Sequence, residues 1–155
     1  MRPLSSPLTP SPDTASVPAF DYALVRAVWV PTGDAVTVGV VLQCRQARFL
    51  DVRLAGSAAA SARLGLAAEL LARGLRSVQR VAAGGAEAGP VGRLPPSERF
   101  HFLTAVRSTA LQTSPVRTGV TDDPAAALDR IAREVLGMGA EEASGLGTSP
   151  PASRV

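Results

Sequence analysis

From Phe20 to Val30 the apolar residues fall into two interleaved sets. Tyr22, Leu24, Val28 and Val30 share one side of an extended chain, and Ala23, Val25, Ala27 and Trp29 share the other. A period of two is the signature of a strand, so this stretch is expected to be β. Arg26 falls within the first set and places a charge on an apolar face. Pro31, Thr32, Gly33 and Asp34 supply turn chemistry, and Ala35 to Leu42 is a β-branched run of the kind found in strands covered on both faces. The two strands are expected to pair as a hairpin. Cys44 to Arg48 makes a second, polar connection to a short third strand over Phe49 to Arg53, which completes an antiparallel meander.

The period then changes. Between Ala58 and Ala83, Leu64, Ala67, Leu71, Leu75 and Val78 recur at steps of three and four, which places one apolar stripe along a helix. Gly74 is the expected break or bend, and Gly84 and Gly85 supply a left-handed cap. A loop runs to about Pro96, and Ser97 to Leu103 forms a short helix with Phe100 and Leu103 inward. Arg107 to Val120 is extended and interrupted at Ser114 and Pro115. Asp123 before Pro124 is a strong helix start, with an acceptor at the N-cap and proline in the first turn; Leu128, Ile131, Ala132 and Val135 follow, and Gly137 closes the helix. The expected fold is therefore α+β, an antiparallel meander with helices packed on one face and a C-terminal helix.

Composition sets the bounds. The 155 residues carry a net charge of +3, with 46% apolar and 4% aromatic residues, one Cys and one His. Residues 1–18 and 137–155 are rich in Pro, Ser, Gly and Ala and are expected to be disordered, which leaves 19–136 as a single domain of common size. No apolar run approaches the roughly 20 residues of a membrane span, and the proline-rich start lacks the apolar core of a secretory signal. Cys44 has no partner for a disulfide. The location expected is cytoplasmic. Every basic residue is Arg, yet Ala, Gly and Pro are plentiful too, so the arginines reflect coding composition and not selection for phosphate binding. The charge is spread along the chain, unlike the clustered face of a nucleic-acid binder.

Several chemistries lack their residues. The glycine-rich stretch Gly84 to Gly92 does not end in Gly-Lys-Ser/Thr, and Pro90 removes a backbone donor, so it is a connector and no phosphate loop. No dinucleotide fingerprint is present. His101 and Cys44 are too few for zinc. Asp21, Asp34, Asp51, Asp122 and Asp123 are placed as strand-flanking and helix-start residues and not as an oxygen-ligand set. His101 is the sole imidazole and its spacing selects no nucleophile among Ser108, Ser114 and Cys44. No cofactor and no metal are expected, and the residues leave open whether the protein is an enzyme.

One polar segment is left. From Arg107, the residues Ser108, Gln112, Ser114 and Arg117 offer donors to an anion or partner. In one straight strand Arg107 and Arg117 lie roughly 33 Å apart and share no small ligand. In a hairpin turning at Thr113–Pro115 they become neighbours. The alternative is that these side chains cap the turn and cover a sheet edge. Arg26 is expected to meet either a carboxylate, Asp51 or Asp21, or the same pocket as Arg107, because a buried guanidinium without a partner costs several kcal/mol.

FDYALVR at Phe20–Arg26, VTVGVVL at Val36–Leu42 and LPPSERFHFLTAVRSTALQTSPVRTG at Leu94–Gly119, followed by TDDP at Thr121–Pro124, resemble the bacterial family catalogued as domain of unknown function 3037. The resemblance covers about residues 20–136. The family pattern has Asn at Thr37, Pro at Val106 and often His at Arg117, so Arg107 and Ser108 are its better carry-overs. The resemblance implies no established activity. Members encoded beside HipA-type kinase-like proteins imply a protein partner in a two-gene system, with a link to toxin–antitoxin or defence functions. Two functions are thus expected from different classes. The first is a non-enzymatic binding or regulatory module for a protein partner. The second is an enzyme or sensor that holds a small anionic ligand or nucleic acid through Arg107, Ser108, Gln112, Ser114, Arg117 and Arg26, with nucleic acid ranked last because few aromatics are free to stack on bases.

Overall fold

Alternating side chains carry the chain through three strands, β1 (Ala19–Trp29), β2 (Asp34–Cys44) and β3 (Phe49–Leu54), paired antiparallel in the order β3-β2-β1. This computed structural model describes residues 17–105 and 109–137; most of both terminal tails lies outside the described residues. The β1–β2 turn closes through the Gly33 N–H, which donates to the Trp29 carbonyl at 2.8 Å with Gly33 at φ 82°. Between Val25 and Arg26 the register slips: Val25 faces Gly39 whereas Arg26 faces Thr37, so Val38 is one residue in excess. This bulge reverses the phase of β2. Val36 and Val38 therefore join Val41 on one face, and Val40, Leu42 and Cys44 turn to the other. Gly39 is required beside it, because a Cβ there would overlap Leu54.

The helical stripe read over Ala58–Ala83 is two helices, α1 (Ala58–Leu64) and α2 (Ala68–Ala83). The break falls at Gly65 and not at Gly74. Gly65 adopts φ 73° and its N–H caps the Ser61 carbonyl at 2.8 Å, so the chain leaves the helix in the left-handed conformation that glycine adopts without strain. Gly74 lies within an unbroken α2 and serves a close approach, since a Cβ would come 2.7 Å from Leu111 Cδ1. The connector after α2 holds a 3₁₀ segment (Ala86–Arg93), and α3 (Pro96–Thr104) follows. Gly84 is not left-handed helical: its φ of 78° comes with ψ 178°, a positive-φ conformation that glycine adopts without a β-carbon clash.

Helices α1, α2 and α3 cover one face of the sheet, burying Ala60, Leu71, Leu75, Phe100 and Leu103 against Ala23, Val25, Val41 and Val52. The C-terminal helix α4 (Pro124–Leu136) covers the opposite face with Leu128, Ile131 and Ala132 against Phe20, Val40, Leu42 and Cys44. Its ends are those read from the sequence. The Asp123 carboxylate accepts from the Ala126 N–H at 3.1 Å, and Gly137 closes the helix at φ 67°. Cys44 is fully buried.

Candidate functional site at the sheet edge

The polar segment builds the free edge of the sheet. Strands β4 (Leu111–Thr113) and β5 (Arg117–Val120) both run antiparallel to β1 on the side away from β2, β4 opposite Val25–Ala27 and β5 opposite Ala19–Tyr22. The chain thus continues along β1 and makes no hairpin at Thr113–Pro115. Pro115 has no N–H to offer, and the gap between the two strands is bridged by Ser114. Its hydroxyl accepts from the Leu24 N–H at 2.9 Å, and its own N–H donates to the Leu24 carbonyl at 2.9 Å.

That arrangement decides where the singled-out residues go. Arg107 and Ser108 lie outside the described residues. Ser114 Oγ holds β1 and also donates to the Pro115 carbonyl at 3.1 Å, so it is a structural clamp. Gln112 and Arg26 are cross-strand neighbours, and Gln112 Nε2 donates to the Thr109 carbonyl at 2.9 Å. Arg117 is exposed opposite Tyr22, about 13 Å along β1 from Arg26 at ~3.3 Å per residue. The edge therefore brings Arg26 beside Gln112 and keeps Arg117 apart from both.

Arg26 corrects an expectation. It is exposed and pairs with neither Asp51 nor Asp21. Asp51 takes Arg53 at 2.9 Å, and Asp21 accepts from Gln43 Nε2 at 3.1 Å and Thr118 Oγ1 at 3.2 Å. The physical reason is coverage: the core beneath α4 reaches along β1 only as far as Leu24, so the guanidinium one pleat further stays in water and needs no partner.

Beside β4 lie two adjoining hollows that share Gly74, Thr109 and Leu111. One, about 240 Å³, is walled by Leu66, Leu70 and Leu71; the other, about 200 Å³, by Ser77, Val78, Gln112 and Thr113. Leu70 stands at the rim, 64% exposed. Sequence reasoning missed it, although a signal was present: Leu70 is a large apolar residue one position off the α2 stripe. Backbone pairing leaves the edge itself open. Val28 N–H donates to the Ala110 carbonyl and Ser114 N–H to that of Leu24, so by antiparallel alternation Leu111 and Thr113 turn their backbone groups outward, where the Leu111 carbonyl accepts from Thr109 Oγ1 at 2.8 Å.

Among the described residues no group of three His, Cys, Asp or Glu is placed to hold a metal ion, and no helix is long and apolar enough to cross a membrane. The class defined by this architecture is an α+β domain whose antiparallel sheet carries helices on one face, a C-terminal helix on the other and an exposed edge strand beside an apolar groove. Residues 22–136 match the family model described as protein of unknown function (DUF3037), and the chain belongs to that family. No curated protein and no solved structure matches it.

Proposed function

We propose that this protein is a non-enzymatic, cytoplasmic binding module that recognises a protein partner at the β4 edge and the groove along α2. The observation that carries the reading is Leu70, a large side chain left in water at the rim of an apolar hollow. Burying one such side chain in a complex contributes about 1.5–3 kcal/mol, and the Thr113 N–H and carbonyl, turned outward on β4, offer an extended segment further hydrogen bonds. Gln112 and Arg26 lie on the same edge, where they set register and polarity at the rim. The partner implied by the family resemblance is a HipA-type kinase-like protein of the kind encoded beside members of the family, in a toxin–antitoxin or defence pair.

The test is titration of a purified kinase-like protein of that kind against the full chain by calorimetry. Leu70→Glu is expected to weaken the complex at least tenfold, and Val30→Glu, a change at another exposed apolar residue on the β1–β2 turn, to leave it intact. Absence of a complex, or equal affinity for both variants and wild type, refutes the reading.

A further inference from the structure

A second cleft, about 400 Å³, lies on the other side of the fold's chemistry, between the β2–β3 turn and the first turn of α3; it shares no lining residue with the groove beside β4. Gln43 comes from the end of β2, Arg45 and Arg48 from the turn, and Ser97, Glu98 and His101 from the helix.

Gln43 is the anomaly. It is 1% exposed, and its Nε2 donates to Asp21 Oδ2 at 3.1 Å, which identifies Oε1 as the other end of the amide. That oxygen is buried and has no hydrogen-bond partner. Most buried side-chain carbonyls find a partner, so an orphan on a residue that lines a cleft invites a donor from outside the chain. Two arginines on the rim call for an acceptor. Arg45 and Arg48 are exposed and make no ion pair among the described residues. At the start of α3, Pro96 carries no N–H and those of Glu98 and Arg99 both go to the Pro95 carbonyl at 3.0 Å, leaving the Ser97 N–H free at the positive end of the helix. Arg48 is also the sole non-glycine residue with positive φ among the described residues, at 52°. A β-carbon in that conformation is disfavoured, and strain of this kind gathers where a side chain is held for a ligand.

We propose that this cleft binds a small phosphate compound that also carries a hydroxyl. Arg45, Arg48 and the Ser97 N–H take the phosphoryl oxygens, and Gln43 Oε1 accepts from the hydroxyl. Glu98 faces the same space, repels a ligand that is anionic on every side and accepts from a second hydroxyl. Orthophosphate satisfies the minimum requirement, because it keeps an O–H at neutral pH; a sugar phosphate satisfies it through its ring or chain hydroxyls. Sulfate is matched in shape but has no proton, so it leaves Gln43 Oε1 unpaired.

The experiment is calorimetric titration of the full chain at low ionic strength with orthophosphate, ribose 5-phosphate and sulfate as probes. Both phosphates are expected to bind, and sulfate at least tenfold more weakly. Arg48→Gly is expected to lose at least tenfold in phosphate affinity while its melting temperature holds or rises, since glycine adopts the turn conformation freely. Gln43→Met, where it folds, loses the preference for phosphate over sulfate. Equal affinity for phosphate and sulfate marks a non-selective cationic surface and overturns the proposal, as does no binding of either phosphate or unchanged binding by Arg48→Gly. Because the two sites share no residue, failure here leaves the partner reading at the β4 edge standing, and the converse holds.

Discussion

At the residue scale, Arg99 is a buried arginine held by three backbone carbonyls. It is 9% exposed, and its guanidinium reaches the end of α2, where Nη1 donates to the Val81 and Ala82 carbonyls at 2.9 and 2.6 Å and Nε to the Leu94 carbonyl at 3.0 Å. Those carbonyls are ones that the last turn of a helix leaves without intrahelical donors, and a cation is favoured there by the helix dipole. Gly84 makes room, since a Cβ would come 2.9 Å from Arg99 Cζ. Arg99→Met keeps the stem but strands the acceptors, so a loss of about 3 kcal/mol is expected in urea unfolding with an unchanged slope. Nothing in the sequence marked Arg99 among sixteen arginines. Its neighbours Phe100 and Leu103 were legible as inward-facing because periodicity reports faces. It does not report which carbonyls a long side chain will reach.

At the element scale, β4 and β5 act as one edge strand held together across a gap. β1 hydrogen-bonds to β4 and to β5, and Leu24, between the two paired stretches, depends on Ser114 for both its N–H and its carbonyl. Ser114→Ala is expected to cost about 1 kcal/mol and to speed amide exchange at Leu24 more than at Val40 in the centre of β2. The sequence admits two courses for this segment, a straight strand and a hairpin, and edge-covering as an alternative to ligand binding. Pro115 next to Ser114 suits a turn as well as a gap, and only the free edge of β1 chose between them. The break between α1 and α2 was displaced for a related reason. The three-and-four stripe runs through Gly65 without a fault, because Leu64, Leu71 and Leu75 pack on the same face of the sheet whether or not the helix is continuous.

At the scale of the whole molecule, one sheet separates two cores, and α4 is secured to its face by more than apolar contact. Arg53 on β3 donates from Nε to Asp129 Oδ1 on α4 at 2.8 Å and from Nη1 to Asp51 Oδ2 at 2.9 Å. Burial works against the charge on Arg53, yet the hydrogen bonds and fields of Asp51 and Asp129 outweigh it and hold the guanidinium above the usual arginine range. A group whose pKa rises on folding contributes stability at every pH below its unfolded value and loses it only as pH climbs through the folded one. The arginine's own contribution is therefore constant across the physiological range. Asp129→Ala leaves a half-buried cation with one carboxylate and is expected to lower stability by about 1–2 kcal/mol near neutral pH, read by thermal and denaturant unfolding; Asp129→Asn recovers part of that through its amide oxygen.

The elements whose signal is local were legible in the chain: the first strand from a period of two, the second from a β-branched run, the apolar faces of the helices, and α4 from Asp123 to Gly137 with its cap, because backbone geometry links neighbouring residues to a common face. The sequence also placed the polar segment in an extended conformation. Tertiary structure alone decided that α4 covers the face opposite the other helices, that Arg53 and not Arg26 meets a carboxylate, that the edge runs straight along β1, and that Gln43 is buried beside the start of α3. Each depends on contacts between residues remote in the chain, 76 positions apart for Arg53 and Asp129 and 90 for Leu24 and Ser114. Such pairs obey no period, and the coverage of each face settles which polar groups need a partner.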